Sequence, residues 1–287
     1  MAEILKTFLE KEFVAQPYII GRGVLPVGGK CIIAGSPKAN KSFVVLNIML
    51  DLVRGRSIFG ATYRNGSAVL PVGQPWRVLY LEQELGEQGL LERLRGKEGR
   101  PGLATELEAE GLELFVHPRD TGMRLDTPEG RDYINGIVGD VKPNVTVMDP
   151  MAKFHLSDEN SAQEMGAVLR VADHLVEDFG TAVVLVHHIG KQNDDNPRRG
   201  GDRLRGSSAI FGDVDTVCEV TRKSNEHHPE PILELSFELR RGEPMDNLFV
   251  QRKRDGSVEW MGEGFEFGQP GKQPAEFPRR NTRYAKL

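Results

Sequence analysis

The stretch Gly35-Ser-Pro-Lys-Ala-Asn-Lys41-Ser42 decides how this chain is read. A short apolar run, Lys30–Ala34 (KCIIA), precedes it, and an apolar segment, Phe43–Val53, follows. That order predicts a strand, a tight loop and a helix that starts at Ser42. The loop fits the phosphate-binding pattern Gly-x-x-x-x-Gly-Lys-Ser/Thr with one departure, Asn40 in place of the second glycine. A helix N-terminus presents unpaired backbone N–H groups and the positive end of its dipole, which suits an anionic phosphate. On this reading Gly35, Ser36, Pro37, Lys38, Ala39 and Asn40 wrap the phosphates of a nucleotide, Lys41 reaches the β- and γ-phosphates, and Ser42 ligates Mg²⁺. After glycine, asparagine is the residue that best tolerates a left-handed backbone, so the loop is expected to close despite the substitution.

Working outward, the four strongest apolar strands all finish on, or just before, polar residues. Lys30–Ala34 runs into the phosphate loop, Trp76–Glu82 (WRVLYLE) leads to Glu82 and Glu84, Val145–Met148 ends on Asp149, and Ala182–Val186 ends on His187 and His188. In open parallel sheets, ligands bind beyond the carboxyl ends of the strands. Asp149, closing VTVMD, has the form of a carboxylate that holds Mg²⁺ beside a phosphate loop. A glutamate after the second strand could deprotonate the attacking water. Strand alternation puts Glu82 and Glu84 on one side, so periodicity leaves both open. Adjacent histidines in a strand point apart, which favours one of the pair as a hydrogen-bonding sensor of the γ-phosphate over a shared metal.

Helices separate these strands. The clearest is amphipathic, with Met165, Val168, Leu169, Ala172, Leu175, Val176 and Phe179 on one face and Gly180 at its end. Thr127 caps another helix that opens with Pro128. Further helices are expected near the N-terminus and over Leu85–Arg100, and further strands over Leu112–Val116, Val214–Val220 and Ile232–Leu239. Gly60–Gln74 reads as a polar surface insertion. Strand-helix alternation predicts an α/β fold, a mainly parallel twisted sheet with helices on both faces. The expected organisation is an approach segment at 1–29, one domain at 30–262, and a flexible basic tail at 263–287.

The 287 residues are 39% hydrophobic and 28% charged, ordinary proportions for a soluble protein. No apolar run approaches the roughly 20 residues of a membrane helix, and the N-terminus does not read as a signal peptide. Cys31 and Cys218 lack metal spacing and read as buried thiols in a reducing compartment, so the cytoplasm is expected. A net charge of −5 excludes a uniformly basic surface but not local patches. Lys191–Arg205, with five cationic and three acidic residues, and the tail are such patches.

The order GSPKANKS, VLYLEQE, TVMDP, LVHHIGK, RGSSAI and FELRRGE resembles the RecA-like P-loop NTPases, and within them the plasmid and phage ATPases similar to RepA-type hexameric replicative helicases. The similarity covers roughly residues 15–245. It implies an ATP- and Mg²⁺-dependent homo-oligomeric motor, a hexameric helicase or translocase on single-stranded DNA, working with other replication proteins. It implies Glu84 rather than Glu82 as catalytic base, His188 as γ-phosphate sensor, and Arg240 as an arginine finger entering the neighbouring subunit's site, with Arg241 in competition. In a ring, Arg198, Arg199, Arg203 and Arg205 would lie where DNA phosphates pass. Two alternatives belong beside it: a RecA-like ATPase for recombination or protein loading without unwinding, and a regulatory nucleotide-binding module with weak hydrolysis.

Overall fold

The computed structural model describes residues 3–12, 17–95, 103–157, 162–189, 212–224 and 229–267. The loop 190–211, with its four arginines and the RGSSAI stretch, and most of the basic tail lie outside the described residues.

Eleven strands and six α-helices are seen among the described residues. In chain order they are α1 (Leu5–Leu9), β1 (Tyr18–Ile20), β2 (Leu25–Pro26), β3 (Lys30–Gly35), α2 (Lys41–Arg54), β4 (Val78–Glu82), α3 (Gly86–Arg95), α4 (Leu103–Ala109), β5 (Leu114–His117), α5 (Pro128–Val141), β6 (Val145–Asp149), α6 (Ala162–Phe179), β7 (Ala182–His188), β8 (Thr216–Arg222), β9 (Ile232–Leu239), β10 (Leu248–Arg252) and β11 (Val258–Trp260). The main sheet has the order β11-β10-β9-β8-β3-β7-β6-β4-β5. From β5 through β8 every pairing is parallel. Strands β9, β10 and β11 extend it as antiparallel neighbours. The α/β, mainly parallel fold read from the sequence is the fold observed.

The central strands are buried on both faces, which is why they read as continuous apolar runs. Alternation sorts their side chains into two cores. Ile33, Val78, Tyr80, Val145, Val147, Val184 and Val186 meet α2 on one face. Ile32, Leu79, Leu81, Met148, Val183 and Leu185 meet α5 and α6 on the other. Helices therefore cover both faces. Helix α5 begins where its signals predict: the Thr127 hydroxyl accepts from Gly130 N at 3.1 Å, with Pro128 in the first turn. Helix α6 runs to Phe179 and stops at Gly180, whose φ is +67°.

Several boundaries differ from the sequence expectations. Trp76 and Arg77 precede β4 rather than belonging to it, α3 reaches Arg95 within the described residues, and β10 and β11 were not foreseen. Residues 60–74 correct the surface reading. The tip, 64–67, is exposed, but Ala61, Val69, Leu70 and Val72 are buried. The segment doubles back against α2: Phe59 N donates to Asp51 Oδ2 at 2.7 Å and Ile58 N to Leu70 O at 3.1 Å. Its sparse apolar residues thus fall on one inward side. Ile19, Ile20, Val24 and Leu25, from the expected approach segment, also belong to the α2-side core.

Candidate nucleotide site at the carboxyl rim of the sheet

Strands β3, β7, β6 and β4 are immediate neighbours, so their carboxyl ends form one rim. Parity decides what each presents there. His188 continues the face of Val184 and Val186, Asp149 that of Val145 and Val147, and Glu82 that of Val78 and Tyr80. This is the α2 face, where the phosphate loop sits. His187 points to the opposite face and is fully buried.

The loop takes the left-handed backbone that the sequence demands: Lys38 has φ +64°, and Asn40, the helix cap, has φ +69° and ψ 24°. Asn40 thus adopts the conformation for which a glycine is usual. Such left-handed residues aim successive N–H groups into one concavity that suits an anion, and the first N–H groups of α2 have no carbonyl one turn back. At Gly35 a Cβ would lie 2.6 Å from Val220 O and 3.3 Å from the Lys41 side chain, so only glycine fits.

Lys41 folds over its own loop. Its Nζ donates to Gly35 O at 2.9 Å and Ser36 O at 3.0 Å, and meets His188 Nδ1 at 3.0 Å. With Lys41 as donor, Nδ1 is the acceptor and the imidazole proton sits on Nε2. Burial lowers the Lys41 pKa to about 8, opposed by the nearby carboxylates of Asp149 and Glu84. Asp149 is buried and held by hydroxyls from two sides. Tyr80 Oη donates to its Oδ2 at 2.8 Å, and Ser42 hydrogen-bonds the same carboxylate. Burial raises the Asp149 pKa, opposed by those two hydrogen bonds and by the charge of Arg93.

The two glutamates left open by periodicity are separated by a turn. Strand β4 ends at Glu82, whose buried Oε1 accepts from Glu84 N at 2.8 Å and Leu85 N at 2.7 Å. Glu84 is exposed and close enough to Lys41 to raise its pKa. Ser42, Asp149, Glu84, Lys41 and His188 therefore come together. Arg240 does not join them. Leu239 pairs with Thr216, which is level with Cys31 at the start of β3. That places Arg240 about 17 Å along the strand direction from the Gly35 end, at the opposite rim. Both Arg240 and Arg241 are exposed there.

Sequence reading missed Tyr80 and Arg93. A tyrosine inside a buried strand needs a partner for its hydroxyl, and Tyr80 shares a strand face with Glu82, so that signal was present. Arg93, on α3, stacks over the Phe43 ring at 5.4 Å and acts electrostatically on both Tyr80 and Asp149. Nothing in its helical position marked it.

A hydroxyl and a carboxylate side by side are hard oxygen donors of the kind Mg²⁺ takes when it also holds phosphate oxygens. Ser42 and Asp149 fit that ion. Among the described residues no cluster of three or more His, Cys, Asp or Glu could form an all-protein metal cage.

Strand order, phosphate loop and rim carboxylates define a P-loop ATPase domain of the RecA-like α/β type. Residues 5–194 match the family model AAA_25, described as an AAA domain, and the chain belongs to that family. Among solved structures, a KaiC-like protein from the hyperthermophilic archaeon Pyrococcus horikoshii OT3 is similar in fold. Its TM-score is 0.54 at 12% sequence identity, over 86% of this chain and 99% of that one. No curated protein sequence matches. Arg240 lies beyond the family-matched segment. Among the described residues no helix is long and apolar enough to cross a membrane.

Proposed function

We propose that this chain binds and hydrolyses ATP with Mg²⁺ at the carboxyl rim of β3, β7, β6 and β4. The observation that carries this reading is the convergence of Lys41, Ser42, Asp149, Glu84 and His188 at the mouth of one loop. The loop N–H groups and Lys41 hold the triphosphate, and Ser42 and Asp149 hold the ion, which when bound neutralises charge on the phosphate oxygens. Glu84, exposed beside Lys41, orients and deprotonates the attacking water. His188, within hydrogen-bond distance of Lys41, registers whether the γ-phosphate is present.

At the finer level, we propose a head-to-tail homo-oligomer, a hexameric motor on single-stranded DNA in plasmid or phage replication. Two things support it. The motif order resembles that of RepA-type helicases, and Arg240 sits too far from its own site to serve it. A finger from a neighbour neutralises transition-state charge and is worth roughly 10³–10⁵ in rate where such arginines have been measured.

Hydrolysis assays with parallel binding measurements test the first part. Lys41→Ala should lose ATP binding. Glu84→Gln should bind ATP with near-parental affinity and turn it over at least about 10²-fold more slowly. Normal turnover in either variant removes the assignment. Native mass with and without ATP and single-stranded DNA, followed by strand displacement from a fork, tests the second part; a monomer without DNA stimulation would overturn it.

A further inference from the structure

Residues 82–84 are consecutive, yet each is used differently. The Glu82 side chain is 0% exposed, and a single oxygen, Oε1, takes the N–H groups of both Glu84 and Leu85. Gln83 anchors the other side of the turn. Its N–H donates to Asp149 O at 2.8 Å, and its side-chain amide, in the orientation that satisfies both groups, donates to Asp120 O at 2.9 Å and accepts from Asp120 N at 3.0 Å. Only Glu84 leaves its carboxylate in the open.

The chemistry of Glu82 is expensive for a mere turn. Its Oε2 is buried and has no hydrogen-bond partner among the described residues, and a buried, half-satisfied carboxylate is costly. Serine or asparagine can accept from turn N–H groups with a smaller desolvation cost. What a carboxylate adds is a charge-assisted acceptor, about twice as strong as a neutral one, which here holds two donors at one point. The effect is a rigid bend directly before the residue that faces the phosphates.

We propose that Glu82 is a positioning residue: its buried carboxylate fixes the 82–85 turn so that Glu84 stands at the distance and angle that hydrolysis requires. The proposal rests on Glu84 being the base. A misplacement of about 1 Å can cost about 10²-fold in rate without touching binding. The phosphate loop and Ser42 lie on other elements, so substrate affinity should be independent of the clamp.

The test uses the full chain and ATP. In Glu82→Ala, kcat should fall by about 10–10²-fold while KM and the calorimetric Kd for ATP stay within about threefold. Glu82→Gln keeps an oxygen for both N–H groups and should return kcat to within about fivefold of the parent. Glu82→Asp is one methylene short and should behave like the alanine variant. It decides the matter if Glu82→Ala does not fold, because retained ATP affinity certifies the fold of each variant. Parental kcat in Glu82→Asp or Glu82→Ala overturns the proposal. So does a glutamine variant as dead as Glu84→Gln, because the Glu82 carboxylate would then itself carry the chemistry. If Glu84→Gln hydrolyses normally, the base assignment fails; if it is dead while Glu82→Asp is normal, only the positioning role fails.

Discussion

Lys41 is stored almost dry, 5% exposed, against two carbonyl oxygens and an imidazole nitrogen. Burial holds its pKa near 8 despite two carboxylates nearby. A triphosphate placed on it favours the charged form, so the bound pKa lies above the free value. Below about pH 7 lysine is protonated in both states and contributes no pH dependence to affinity. As pH rises through 8 the free protein loses that proton and the complex keeps it. ATP affinity should then weaken, by up to about tenfold per pH unit. Calorimetry of the parent protein should show net proton uptake on ATP binding at pH 8.5, in two buffers of different ionisation enthalpy, that falls away at pH 6.5, where Lys41 is already charged. Equal apparent enthalpies in the two buffers would refute the coupling. Asn40 was readable at this scale, because left-handed tolerance belongs to the residue type; Glu82 was not, because its role depends on a turn that bends the chain out of period.

Among the elements, Asn47 joins the phosphate-loop helix to the β10–β11 hairpin. Its Nδ2 donates to Phe43 O at 2.8 Å and Gly256 O at 2.9 Å, and its Oδ1 accepts from Val258 N at 3.1 Å. Asn47→Ala leaves a buried N–H without its acceptor and should lower unfolding free energy by about 2–3 kcal/mol in denaturant melts. Asn47→Asp keeps the acceptor but sets a buried carboxylate oxygen against the Phe43 and Gly256 carbonyls, and should lose at least as much. Equal stability in all three proteins would show that the hairpin is not held this way. The central strands were legible because helices on both faces force continuous apolar runs, and their terminal polar residues pointed to the rim. The hairpin was illegible because LFVQR and VEW are short strands at one end of the sheet with one wet side. The buried flanks of 60–74 escaped because four inward residues in a polar, glycine-bearing segment carry no period. The bend at Glu84 and Leu85 escaped because alternation assumes the strand continues.

For the whole molecule, the distance between Arg240 and the phosphate loop makes a sharp prediction. Lys41→Ala and Arg240→Ala proteins should each be inactive alone, the second while still binding ATP. Mixed in equal amounts, they should regain activity at roughly a quarter of the junctions, where an intact loop meets an intact arginine. Silence of the mixture, with assembly verified by native mass, would remove the finger. Contacts of this kind join unlike surfaces, so closing them into a ring introduces no two-fold axis across the ring and leaves two mouths that differ. A strand threaded through would meet those openings in a set sequence, and its sense of travel would descend from the common direction of β3 through β8.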